Sequence, residues 1–72
     1  MFDYDGFKND PDNAGSILCW ACFSMDPWHL AGIYKTEIEA KKMLEVLGKD
    51  YQVSYGSHEK GTEEFVGGLE AN

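Results

Sequence analysis

A chain of 72 residues has room for one domain and a modest core, so it needs tight packing, a staple, a metal or a second copy to be stable. With 43% hydrophobic and 14% aromatic residues it is built to pack, which excludes an acidic disordered tail. Thirteen Asp and Glu against six Lys and no Arg give a formal net charge of −7, which repels nucleic-acid backbones and lacks their favoured bidentate ligand.

The N-terminal stretch from Met1 to Phe7 alternates aromatic with acidic residues and reads as an edge strand or a docking arm. Lys8 to Gly15 is rich in Asn, Asp, Pro and Gly, which favour turns, so residues 1–15 are expected as an arm and a loop. A strand follows from Ser16 to Met25. Its central run, Ile17 to Met25, is apolar at both phases of a period of two and therefore predicts cover on both faces. Asp26-Pro27-Trp28-His29 reads as a reverse turn, and Leu30 to Lys35 as the returning strand.

Thr36 followed by Glu39 is a capping box. Ala40, Met43, Leu44 and Leu47 then recur at helical spacing and Gly48 supplies the stop, predicting a helix from Glu37 to Leu47. Glu37 with Lys41, and Glu45 with Lys49, are spaced for i,i+4 pairs. Tyr51 to Tyr55 alternates as a third strand, and residues 58–61 read as a turn. Thr62 to Val66 reads as a short fourth strand in preference to one helical turn, and residues 67–72 as a flexible tail. The expected fold is α+β, in the order β-β-α-β-β: an antiparallel sheet of three to four strands spanning residues 16–66, with one helix on one face.

Cys19-Trp20-Ala21-Cys22 invites a redox or zinc reading. A reactive dithiol belongs at a helix N-terminus, whereas strand alternation sends these two side chains to opposite faces. A zinc site needs four ligands, and the completing histidines, His29 and His58, are far apart in the sequence. Both cysteines are therefore expected as small buried hydrophobes, with a metal- or thiol-dependent function through Cys19, Cys22, His29 and His58 as the alternative. Two cysteines also suit a reducing compartment. Asp3, Asp5 and Gly6 resemble the start of a calcium loop, with further oxygens at Asp10 and Asp12. Met1 stands where the first ligand belongs and no Glu closes the loop, so these aspartates read as turn formers. Ser57-His58 and Glu63-Glu64 do not make a catalytic constellation by adjacency, and neither enzyme activity nor a cofactor is expected.

Aromatic and acidic residues together form the remaining constellation. With Ile33, Cys19 and Phe23 placed under the helix, Trp20 falls on the helix-free face, and Gly32 leaves room for its indole. Trp28 at the hairpin tip, Tyr34, and Phe2 and Tyr4 of the arm are expected beside it as anchors, with Asp3, Asp5 and Asp26 as an acidic rim. The expected function is binding of a protein partner, a basic one included, or of a second copy of the chain. Folding of the arm over its own sheet is the competing arrangement. With no apolar run near the roughly 20 residues of a membrane span and no basic leader before an apolar stretch, a cytoplasmic protein is expected.

The stretch Gly32-Ile33-Tyr34-Lys35-Thr36 through Ala40, Leu44, Leu47, Tyr51, Val53 and Tyr55-Gly56-Ser57 resembles small uncharacterised bacterial proteins carried in mobile gene cassettes and phage genomes. That resemblance covers about the second half of the chain and implies no activity and no site residues. The same half is similar to the strand-helix-strand half of peptidoglycan-binding SPOR repeats, although the first half lacks the matching unit.

Overall fold

A computed structural model of the chain describes residues 2–70; Met1, in the expected arm, and residues 71–72, in the expected tail, lie outside it. The fold is α+β: β1 (Lys8–Asn9), β2 (Ser16–Met25), β3 (Trp28–Tyr34), α1 (Glu37–Leu47), β4 (Gln52–Glu59) and β5 (Phe65–Val66). The sheet is antiparallel and centred on β2. One long side of β2 pairs with β4, and the other with β1 at its start and β3 over the rest; β5 pairs with the outer side of β4.

The strand and helix expected at 16–25 and 37–47 form with those bounds. The Thr36 hydroxyl accepts the Glu39 N–H at 3.2 Å and donates to the Glu39 carboxylate at 2.9 Å, so the two side chains close the cap on each other. Gly48, at φ 98°, ends the helix and donates its N–H to Leu44. Glu37 pairs with Lys41 at 3.1 Å; among the described residues Glu45 and Lys49 do not pair, because Gly48 ends the helix before Lys49.

Elsewhere the sheet is larger than its sequence suggests. Five strands form where three or four are expected, the addition being the Lys8–Asn9 bridge inside the expected loop, paired to Leu18 and Ile17. The hairpin turn is confined to Asp26-Pro27, a cis peptide, and Trp28 already pairs with Met25. A register shift between Cys22 and Phe23 places Ala31 as the extra residue of β3. β4 runs through the expected turn to Glu59 and matches β2 from Ser16 to Phe23. Of the 62–66 segment, Phe65–Val66 forms the strand; residues 62–64 are not helical, and Thr62 accepts the Glu64 N–H in a local turn ahead of it. In the segment expected as a tail, Gly68 donates to Ser54 and Leu69 to the Tyr55 carbonyl, extending the chain along β4.

Both faces of β2 are covered, as its double apolar phase requires, but the assignment of faces is the reverse of expectation. The Cys22 thiol donates to the Ala40 carbonyl at 3.0 Å, which puts α1 on the face shared by Leu18, Trp20, Cys22 and Ser24. A small residue decides this: Cys22 lets the backbone of fully buried Ala40 approach the sheet. Phe23 and Ala21 pack with Leu30 on the other face. There the chain supplies its own cover, with Phe2 from the arm and Phe65 from β5 closing over that core beside Ile33.

Candidate functional site

The arm is latched to the helix-free face through His58, a residue with no measurable exposure. Its Nδ1 lies 2.8 Å from the Glu64 carbonyl and its Nε2 3.4 Å from the Tyr4 hydroxyl, which accepts the Gly61 N–H at 2.8 Å. Nδ1 donates its N–H to the Glu64 carbonyl, and Nε2 faces the Tyr4 hydroxyl. Phe2 meets the imidazole edge-on with centroids 5.4 Å apart, and Tyr4 lies 5.7 Å away. Phe2 and Tyr4, expected as anchors for a partner, therefore hold the arm on its own sheet. Asp3 turns its carboxylate back to the Asp5 N–H at 3.0 Å, and Asp5 is exposed.

Trp20 and Tyr34 are not on that face. Register places Trp20 between Tyr34 of β3 and Tyr55 of β4 on the α1 side, with Trp20 and Tyr55 centroids 5.2 Å apart. The space above Gly32 holds the Tyr34 ring instead of the Trp20 indole: a Cβ there would fall 2.6 Å from the Tyr34 hydroxyl. Burial raises the Tyr34 pKa, with smaller contributions from Cys22 and Glu39.

The proposed zinc set does not assemble either. Cys19 shares the helix-free face with His58, Cys22 lies under α1, and His29 stands exposed beside Tyr51. Burial pushes the Cys19 thiol up to about 12 and raises that of Cys22, the reverse of what a reactive or metal-binding thiolate needs. Among the described residues no three His, Cys, Asp or Glu converge as metal ligands. Asp10, from the calcium reading, is a turn residue: it accepts from Asn13 at 3.0 Å and from the Asp12 N–H at 2.9 Å. These bonds, with the Ser57 hydroxyl beside it, lower its pKa.

Of the expected anchors, Trp28 lines an apolar groove on the helix-free face, while Phe2 and Tyr4 line a separate hollow with Gly61, Thr62 and Glu63. The Trp28 ring lies tilted against Phe23 with centroids 5.4 Å apart, Phe23 meets Phe65 at the same distance, and the indole N–H donates to the Glu63 carbonyl at 2.8 Å. Beside it opens a groove of about 370 Å³ walled by Phe23, Met25, Trp28, Phe65, Gln52 and Ser54. Met25 is 62% exposed and Trp28 39%, and Val66 and Leu69 extend the exposed apolar surface beyond the groove. Glu64 lines an adjoining hollow with Trp28, Phe65 and Val66, and the Glu63 carboxylate lies 3.9 Å from His29 Nδ1. Met25 and Phe65 are missing from the sequence-based set, because Met25 reads as the strand's last apolar residue and Phe65 as an isolated one. The signal that finds them is register: Met25 pairs with Trp28, and Phe65 pairs with His58.

Comparison with protein-family models, curated proteins and solved structures finds no match. No helix among the described residues is long and apolar enough to cross a membrane.

Proposed function

We propose that this chain is a non-enzymatic interaction domain whose Trp28 groove receives an apolar side chain from a basic protein. The observation that carries the reading is an exposed apolar groove with an aromatic floor, bordered by Glu64 beside Trp28 and Phe65, in a molecule of net charge −7. A deep apolar anchor inside a charged rim is the usual arrangement of an interface hot spot. Charge favours a basic partner over a second copy, since each copy brings the same −7. The non-enzymatic part rests on the engagement of His58 and Asp10 in local hydrogen bonds. A cytoplasmic setting belongs to the same proposal and is supported by two free, buried cysteines.

The test is calorimetric titration with a short acetylated peptide of alternating Lys and Leu, against its Glu-Leu counterpart. The Lys-Leu peptide binds and weakens with added salt, Trp28→Ala lowers its affinity about tenfold or more, and Ile38→Ala on the exposed helix surface changes nothing. Equal binding of the two peptides, or an unaltered affinity in Trp28→Ala, contradicts the reading.

A further inference from the structure

The opposite face of the sheet carries a second concavity of different chemistry. It holds about 250 Å³ and is lined by Gly6, Phe7, Lys8, Leu18, Trp20, Lys35 and Tyr55. No helix residue and no carboxylate lines it. In a chain with thirteen acidic residues and six lysines, a cleft whose charged residues are both lysines is locally the reverse of the whole.

Its parts are held by register and by backbone. Lys8 pairs with Leu18, so both project on the Trp20 face, and Trp20 stands directly across from Tyr55. The arm reaches this face through a turn in which Phe7 donates its N–H to the Tyr4 carbonyl and Gly6 takes φ 82°. Lys35, following Tyr34 at the end of β3, holds its ammonium 5.6 Å from the Phe7 ring centroid. A Cβ on Gly6 would fall 2.7 Å from that ammonium, so the glycine admits Lys35 to the rim. Neither Lys8 nor Lys35 forms an ion pair among the described residues.

We infer that this cleft binds a small planar aromatic anion, its ring against the Trp20–Tyr55 pair and its carboxylate or phosphate between Lys8 and Lys35. Size and field set that ligand class. The volume suits one or two fused rings and is below that of most drug-sized sites. A long polyanion meets the repulsion of the whole molecule, whereas a single anionic group sits within a Debye length of both ammonium groups, about 8 Å at physiological salt. The inference is independent of the Trp28 groove, which lies on the other face.

The experiment is nuclear magnetic resonance titration of the intact chain with indole-3-acetate and, separately, adenosine monophosphate, with tryptamine as the cationic control. One or both anions shift the Trp20 indole and Lys35 signals saturably, and tryptamine binds about tenfold more weakly or not at all. The stronger anion identifies the source as carboxylate or phosphate. Lys35→Gln and Lys8→Gln, both exposed substitutions, each weaken binding about three- to fivefold, and Trp28→Ala leaves it unchanged. Absence of saturable shifts for both anions, tryptamine binding as tightly, or shifts confined to Trp28 overturns the inference.

Discussion

Cys19 and Cys22 illustrate how burial decides chemistry. Neither thiol meets a cation, and both are pushed up by loss of water, Cys19 to about 12 from an ordinary 9.0. The raised folded values mean that the stabilising effect of both thiols is complete below the ordinary 9.0 and is lost as pH climbs above it, for Cys19 toward about 12. Tyr34, also raised, acts in the same direction. Urea unfolding at rising alkaline pH should therefore show falling stability, and Cys19→Ala should flatten that fall. A thiol reagent at mildly alkaline pH should react with the native chain only at the rate of its opening. Asp10 works with the opposite sign. Its folded pKa lies below the ordinary 3.8, so its contribution is present above that value and disappears as pH falls through the folded one. Asp10→Asn should lower stability at neutral pH and reduce its loss in acid, as read by urea midpoints; an unchanged acid response would contradict the turn role given to this carboxylate.

Among the elements, Gly56 and Gly32 separate two reasons for a glycine in a strand. A Cβ at Gly56 would lie 1.9 Å from the Val66 carbonyl oxygen and 2.8 Å from the Gly67 Cα, so only backbone displacement can admit it. At Gly32 the obstacle is the end of the Tyr34 side chain, which can swing away. Gly56→Ala should cost about 2–3 kcal/mol and increase hydrogen exchange at the Leu69 amide, whereas Gly32→Ala should cost about 1 kcal/mol or less. Equal costs in thermal unfolding would refute the close crossing of the C-terminal segment. The same glycine shows why part of the fold was not legible. Helix bounds follow from Thr36, Glu39 and Gly48, which act through local bonds, and β2 is visible in its unbroken apolar run. Gly56-Ser57-His58 looks like the exit from a strand, yet pairing with Cys19, Leu18 and Ile17 keeps it extended. That partnership is non-local, and so is the choice of which β2 face meets α1. Trp20 lies on the α1 side because close approach at Ala40 demands the small side chain of Cys22, and strand alternation puts Trp20 on the same face as Cys22. The candidate site was legible only at Trp28, since Met25 and Phe65 reach it through strand pairing.

For the whole molecule, the apolar demand of β2 is met within one chain. A single helix covers the Cys22 side, while Phe2, the His58–Tyr4 latch and Phe65 cover the other. The Trp28 groove is one apolar surface left open on that side, and the net charge of −7 directs it toward a basic partner and away from a second copy. The intramolecular seal is the claim on which this arrangement depends, because an unsealed central strand would need a second copy. Sedimentation equilibrium from dilute to concentrated solution, at physiological and at raised salt, tests it most directly. A single species of 8.1 kDa under all conditions is the predicted result. A mass rising with concentration toward twice that value, most of all when salt screens the net charge, would contradict it.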